Sequence, residues 1–308
     1  MTRFSFLRPA QVLLAAATLL TTACSAPRLM TMSGKVTPKG EFKAGGNLAF
    51  NVPTSTIGKT GSAVREAAEQ LLTQDKVDYG TSGELIDKLQ TAALAYALDP
   101  VQPSSDLYVR YGVANRVDVG YKYAFGSHVF DAMYQFLGST GTPERPGAAA
   151  GSMYGSIGLQ FATQRAKLPD LPFLDNINEL LQFTANRNDL MVPLVFSHSF
   201  GPEEQIGAIS YGVVYSHTFL RYGFQPRNIY SNNQLIPSLP LGKQDFSSYG
   251  AFFNVKLGYR YAYVVPALSV YYQNYGQYQL LNNKTTKLSG VTFIPSIGVQ
   301  FRIPTKRG

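Results

Sequence analysis

The sequence predicts an all-β fold: a transmembrane antiparallel up-and-down β-barrel of about 10 strands (8–12), with a helical pair in its first long loop. Three observations carry that expectation. Segments of roughly ten residues alternate apolar with polar or small side chains, the period of a strand whose two faces meet different surroundings. Only 15% of the 308 residues are charged, while Tyr (20), Phe (19) and Gly (28) are abundant and Trp is absent. Mean hydropathy is -0.07, as expected where lipid-facing and lumen-facing residues cancel. Finally, the connections alternate between long and short, as they do when one rim carries loops and the other tight turns.

The N-terminus follows a separate logic. Arg3 and Arg8 precede a largely apolar run over residues 10–20, broken at Gln11. The run is too short to span a bilayer and reads as a secretory signal peptide, residues 1–23. Thr21, Thr22 and Ala23 then precede Cys24, the single cysteine. LTTAC resembles the bacterial lipobox, which implies a diacylglycerol thioether on Cys24 after cleavage. Leu20 stands one place further from the cysteine than the pattern has it, and Ser25 occupies the place of the inner-membrane retention Asp. Ordinary cleavage beside an incidental cysteine is the alternative. One thiol excludes an internal disulfide. Residues 24–38 are then an N-terminal lipid-anchored or periplasmic segment, 39–304 the barrel with a helical insertion at 59–99, and 305–308 a tail.

Strand signals follow in order. Phe42, Ala44, Gly46, Leu48, Phe50 and Val52 alternate with Lys43, Gly45, Asn47, Ala49 and Asn51. Residues 106–126 read as a hairpin: Leu107, Val109, Tyr111, Val113, Val117, Val119, Tyr121 and Tyr123 share one face, Tyr108, Arg110, Gly112, Asp118, Gly120 and Lys122 the other. Phe130, Ala132, Tyr134 and Phe136 alternate with Asp131, Met133 and Gln135; Ile157, Leu159 and Phe161 with Ser156, Gly158 and Gln160. Further on, Ile209 to Tyr215 alternate with Ser210, Gly212 and Ser216, and Ala251 to Tyr259 with Asn254, Lys256 and Gly258. The last strand sets Val291, Phe293, Ile297, Val299, Phe301 and Ile303 against Thr292, Ser296, Gly298, Gln300 and Arg302. Residues 190–200 and 261–273 also read as strands, but Pro193 and Pro266 leave their facing unassigned.

A chain entering from the periplasm places its odd connections outside: 53–105, 126–128, 163–189, 221–248 and 274–290, all but the second long. The inner turns are 114–116, 139–151, 201–205 and 258–260. In the first loop, residues 62–74 carry apolar side chains at helical spacing. A second helix is expected from Thr81, with Glu84 placed for a capping box and Leu85, Leu89, Ala92 and Tyr96 as its stripe, ending at Asp99-Pro100. The pair either caps the rim or plugs the lumen. Residues 175–183 suggest a short helix in the third outer loop.

RYGVANRVDVGYKYAFG resembles a hairpin common in bacterial outer-membrane β-barrels, including fatty-acid-transporter-like and small porin-like families. GVTFIPSIGVQFRI resembles the C-terminal strand read by the barrel-assembly machinery in that class, although here the chain runs on to Gly308. The resemblance implies an integral barrel of the Gram-negative outer membrane, with outer-membrane lipids, lipopolysaccharide and the assembly machinery as partners.

Catalytic and metal chemistry is thinly represented. His128, His198 and His217 are scattered and give no metal spacing with one cysteine. Ser127-His128 and Ser216-His217 are adjacent, so their side chains point to opposite faces of a strand. Neither an enzyme, a cofactor nor a metal is expected. The net charge of +8 is dispersed, which argues against a nucleic-acid partner. The expected lumen lining is Lys43, Asn47, Arg110, Asp118, Lys122, Asp131, Gln135, Lys256 and Arg302, with Arg110 and Lys122 balancing Asp118 and Asp131. The expected function is passive or ligand-binding transport of small or hydrophobic solutes through a narrow lumen gated by the first loop. The alternative is a non-transporting structural or surface-interaction barrel lipoprotein. An outer-membrane protease or lipid-modifying enzyme ranks behind both.

Overall fold

The computed structural model describes residues 28–60, 77–124, 126–166, 181–226 and 229–305. Cys24, the signal region, the expected helix at 62–74 and most of 175–183 lie outside them. Ten antiparallel strands close into one barrel. They are β1 Phe42–Pro53, β2 Gln102–Ala114, β3 Val117–Ala124, β4 Ser127–Leu137, β5 Met153–Ala166, β6 Thr184–Ser199, β7 Gly207–Phe224, β8 Leu239–Tyr259, β9 Ala262–Gln279 and β10 Thr285–Ile303. Each pairs with its chain neighbours, and β1 meets β10 from Phe42↔Ile303 to Pro53↔Thr292. Closure leaves no unpaired edge. The lower end of the barrel is where β1 begins and β10 ends; the upper end carries the helices α1 (Thr54–Thr60) and α2 (Tyr79–Leu98).

Alternation sets the two faces. Leu48, Leu107, Phe130, Leu159, Val213, Phe253 and Ile297 point outward and are exposed. Lys43, Asn47, Asp118, Lys122, Gln135, Asn254, Lys256 and Arg302 point inward and are buried. The two segments of unassigned facing are β6 and β9. In β6 the odd positions Met191, Val195 and Ser197 face in. In β9, Val265, Ser269, Tyr271 and Gln273 face in, until a register shift between Asn274 and Gly276 brings Tyr278 inward instead. Pro193 and Pro266 remain within their ladders, each tolerated where a cross-strand pair is interrupted.

The upper wall differs from the sequence expectation. Two of the supposed long loops, 221–248 and 274–290, are largely strand, and the third, 163–189, is shortened. β6, β7, β8, β9 and β10 continue upward and shrink the connections to 167–183, 225–238 and 280–284. The reason is an exchange of faces. Above the level of Phe219, Tyr249 and Tyr272, the apolar residues turn inward: Ala185, Leu220, Tyr222, Phe224, Phe246, Tyr275, Tyr278 and Leu288. Asn186, Arg221, Lys243, Asp245 and Lys287 now face out. The inward set packs on α2, whose Ile86, Leu89, Leu94 and Leu98 are almost wholly buried. Burial of this kind is worth about 1.5–3 kcal/mol per side chain. α2 begins at Tyr79 rather than Thr81, because the Asp78 carboxylate caps it by accepting from the Gly80 amide. Glu84, expected as a capping residue, is instead exposed and paired with Lys88 at 2.8 Å.

The segment before β1 was expected to lie in the periplasm. From Arg28 onward it lies inside the barrel. Met30 and Thr37 are fully buried and Val36 nearly so. Gly34 presses on the wall so closely that a Cβ there would sit 2.5 Å from the Tyr154 carbonyl oxygen. At the lower mouth a Cβ on Gly112 would meet the Pro38 carbonyl at 2.0 Å. Gly34→Val is therefore expected to expel the segment while the strand ladder survives. Trypsin cleavage at Lys35 should appear in the variant, with the heat-dependent gel shift of a folded barrel retained; protection of Lys35 equal to wild type would contradict this.

Candidate functional site

Among the described residues, polar chemistry concentrates in the lumen, and the N-terminal segment organises it at three levels. At the top, Asp99 ends α2 and is 1% exposed. Its carboxylate accepts from Arg28 Nη1 (3.1 Å), Gln273 Nε2 (2.8 Å), Tyr275 Oη (2.8 Å), Asn51 Nδ2 and the Thr292 hydroxyl. One carboxylate thus joins α2, β1, β9, β10 and the segment. Arg187, held by Asp189 and Thr218, donates to the Leu98 carbonyl at 3.0 Å and secures the same helix end from β6.

Along its length the segment's backbone is held by the wall. Tyr271 Oη donates to the Arg28 carbonyl (2.7 Å) and Lys122 Nζ to the Leu29 carbonyl (3.1 Å). Asn254 reaches the Met32 carbonyl (3.0 Å), and the Met30 amide donates to Ser269 Oγ (3.3 Å). The Val36 amide donates to Gln135 Oε1 (3.2 Å) and the Thr37 amide to Asp118 Oδ2 (2.7 Å). These bonds satisfy a buried backbone that has no strand partner of its own.

At the bottom, the turn between β6 and β7 folds inward. Glu203 and Glu204 both adopt positive φ (54° and 60°) and are buried, a conformation unusual outside glycine. Glu203 accepts from Lys35 Nζ, Ser139 Oγ, the Gly147 amide (2.7 Å) and Tyr154 Oη (3.1 Å). Glu204 accepts from Lys256 Nζ, Ser33 Oγ and Ser197 Oγ (2.9 Å). Beside them Arg302 forks onto Glu41 (2.7 Å to both oxygens) and Glu144 (2.9 and 2.6 Å). Burial alone would raise the Glu204 carboxyl, but the Lys256 and Lys43 ammonium groups hold it down at about 2. The Arg302 hydrogen bond holds Glu144 at about 2. Glu203 is likewise lowered, burial being outweighed by Lys35 and Ser139.

The residues expected to line the lumen all face it, but they do not leave a cationic passage. Arg110 bridges Asp118 and Asp131, both at 2.5 Å. Lys43 donates to the Lys35 carbonyl at 3.2 Å, and Asn47 to Asp106 at 2.6 Å. Lys122, expected to balance acidic residues, reaches the Leu29 carbonyl instead. Lys256 and Arg302 are occupied by glutamates outside the expected set. The cavity left beside the segment, lined by Lys43, Tyr108, Arg110, Lys122, Met133 and Gln300 among others, is about 60 Å³. That is room for a few waters. Sequence reasoning missed Arg28, Asp99, Glu203 and Glu204. The consecutive Glu203-Glu204 in a charge-poor chain was the one available signal, and it lay in what read as an ordinary turn.

The histidines stay on the outer surface. His128 contacts Tyr121 Oη (2.8 Å), His198 contacts Tyr211 Oη (3.3 Å) and His217 contacts Ser247 Oγ (3.1 Å). Among the described residues no group of three His, Cys, Asp or Glu is placed to hold a metal.

Two outcomes follow from the buried charges. Asp99→Ala strands the buried Arg28 and is expected to cost about 3–5 kcal/mol in urea titrations of the barrel in lipid vesicles, whereas Arg28→Met with Asp99→Asn leaves no unpaired charge and should lose less. The glutamates of the lower turns have depressed pKa values when folded, so their contribution is present above the unfolded carboxylate range near about 4.3 and is lost as pH falls toward about 2. Melting temperature followed by circular dichroism should therefore fall between pH 5 and 2. Glu204→Gln should melt lower at pH 7 and show a shallower acid loss; an unchanged acid profile would refute the assignment.

No family model and no curated protein matches the chain. Among solved structures, it is similar to Ail, the attachment invasion locus protein of Yersinia pestis, at 9% identity over 86% of this chain and 99% of that one, with a TM-score of 0.32. Neisserial surface protein A gives 8% identity, 84% and 96% coverage and a TM-score of 0.31. The outer membrane protein OprG from Pseudomonas aeruginosa gives 12% identity, 88% and 99% coverage and a TM-score of 0.32. Likenesses this distant carry no argument, and the ten-stranded closed barrel rests on its own strand register.

Proposed function

We propose that this chain is an integral barrel of the Gram-negative outer membrane, closed at rest, with its own N-terminal segment filling the lumen and α2 capping it. The occupied lumen carries the closed reading: about 60 Å³ beside the segment admits waters and not a solute. Membrane insertion is supported by the outward apolar belt, which is bounded by aromatic side chains at both rims. Phe42 and Tyr111 (4.6 Å between rings), Phe136, Phe196 and Tyr211 mark the lower rim. Tyr121 and Phe130 (5.3 Å), with Tyr215 and Tyr249 (5.6 Å), mark the upper. The longest connection, with both helices, lies above, and both barrel ends with the turns 115–116 and 260–261 lie below, which supports a periplasmic lower end and an outer α2. Outer-membrane lipids, lipopolysaccharide and the assembly machinery are the partners this placement calls for. The lipid on Cys24 remains a reading of the sequence.

Transport of a small or hydrophobic solute is the second reading. Its supporting observation is that the segment is held largely by side-chain bonds rather than by strand pairing, so it can leave without breaking the sheet. No enzymatic role is proposed, since each histidine faces outward and bonds to a hydroxyl rather than a carboxylate.

Planar bilayer recording tests the closed state. The full chain should insert without steady conductance, and deletion of residues 28–38 should open discrete channels. Steady conductance by the full chain would overturn the closed reading and favour transport.

A further inference from the structure

We propose that the barrel carries its own chain outward, so that the N-terminal end of the protein is delivered through the lumen to the cell surface. This rests on the orientation argued above. The direction of threading is fixed by contacts at both ends. Below, Lys39 bridges Gly112 and the Gly40 amide donates to the Gly112 carbonyl at 2.7 Å. Above, Arg28 meets Asp99 at the end of α2. The ten steps from Arg28 to Pro38 reach about 33–36 Å when fully extended, enough to cross an apolar band of about 25–30 Å.

The chain has no room to return. The cavities beside the segment at Arg110 and at Glu204 are about 60 and 20 Å³, so a second pass of backbone through them does not fit. The upper rim offers an exit. β3 has 8 residues and β4 has 11, against 18 to 21 in β7 through β10. α2 packs on the tall side, against β6 through β10. Lys122, near the upper end of β3, holds the Leu29 carbonyl, so the top of the segment is reached from the low side as well as from Tyr271 of the tall strand β9, which holds the Arg28 carbonyl. Four steps along the chain lead from Arg28 to Cys24, a reach of at most about 14 Å. The diacylglycerol implied by the lipobox would then sit in the outer leaflet, on the exterior of the cell rather than facing the periplasm.

The test is thiol labelling of intact cells. Ala26→Cys and, separately, Ser25→Cys are made in the full chain and treated with a membrane-impermeant maleimide. Gln234→Cys, exposed in the short hairpin that pairs Ile229–Ser231 with Gln234–Leu235 within the upper connection 225–238, is the surface control. Ala150→Cys, in the exposed lower turn, is the periplasmic control. The wild-type chain, with its single cysteine, sets the background. The N-terminal thiols should label on intact cells to the same extent as Gln234→Cys, with no gain on permeabilisation, while Ala150→Cys should label only after it. An epitope inserted between Ala26 and Pro27 and read by antibody on intact cells gives the same decision without relying on a thiol. Labelling or antibody binding only after permeabilisation, in protein that keeps the heat-dependent gel shift, overturns the inference and leaves the barrel intact. Loss of the gel shift by the wild-type chain would count against the barrel reading instead.

Discussion

A closed sheet of ten strands sets the constraint on which everything else depends. Eight strands enclose about the space that inward side chains fill, and each added strand widens the lumen. At ten, a channel remains that side chains alone do not close. Here the backbone of residues 28–38 occupies it, with Met30, Val36 and Thr37 buried against the wall. A backbone inside a barrel brings its own amides and carbonyls, and each must find a partner away from water. The polar interior of the wall meets that requirement. Ser269, Gln135, Asp118, Asn254, Lys122 and Tyr271 each hold a main-chain atom of the segment.

The same constraint explains where the charges are. Lys and Arg taken from water are costly unless paired, so a lumen with buried cations needs buried anions nearby. Arg110 finds Asp118 and Asp131 within the wall. The lower cations could not be balanced by neighbouring strands, and a turn supplies Glu203 and Glu204 by folding inward through two residues at positive φ. That backbone cost is offset because the two carboxylates clasp Lys35 of the segment and Lys256 of the wall at once. Arg302 of the last strand and Glu41, just before the first, close the sheet's seam by the same chemistry.

Much of this was legible in the sequence where one face meets apolar surroundings and the other does not. The strands around Leu48, Leu107, Phe130, Leu159 and Ile297 follow the period of two, and the order and closure of ten strands agree with it. The upper wall was not legible for the same physical reason. From Leu220 to Phe224, and again at Tyr275 and Tyr278, the inward face is apolar because it meets α2, and the outward face is polar. A reading that asks for polar-in and apolar-out takes such stretches for loops. The nine side chains named for the lumen face inward, and parity alone decides that facing. Their partners were not legible, because Arg28, Asp99 and Glu203-Glu204 lie outside any alternating strand and come to the lumen through tertiary folding.

The exchange of faces also bears on how the barrel sits. An apolar side chain is stable facing lipid and equally so facing a helix, but a charged one at the lipid face costs several kcal/mol near the bilayer midplane. Along β7 the outward residues run from Tyr211 through Val213, Tyr215 and Phe219 to Arg221, and along β8 from Tyr249 to Asp245 and Lys243. In the proposed outer-membrane placement, the level at which Arg221, Lys243 and Asp245 begin to face out is the level at which lipid ends. Arg28 and Asp99 are joined to Tyr271, Gln273 and Thr292 near that boundary. On the proposed placement the top of the segment lies where the hydrocarbon stops, and its foot at Gly112 lies at the other aromatic rim. In that placement the segment spans inside the barrel the depth that the wall spans outside, and the Arg28–Asp99 ion pair at its upper end ties it to the helix over the mouth.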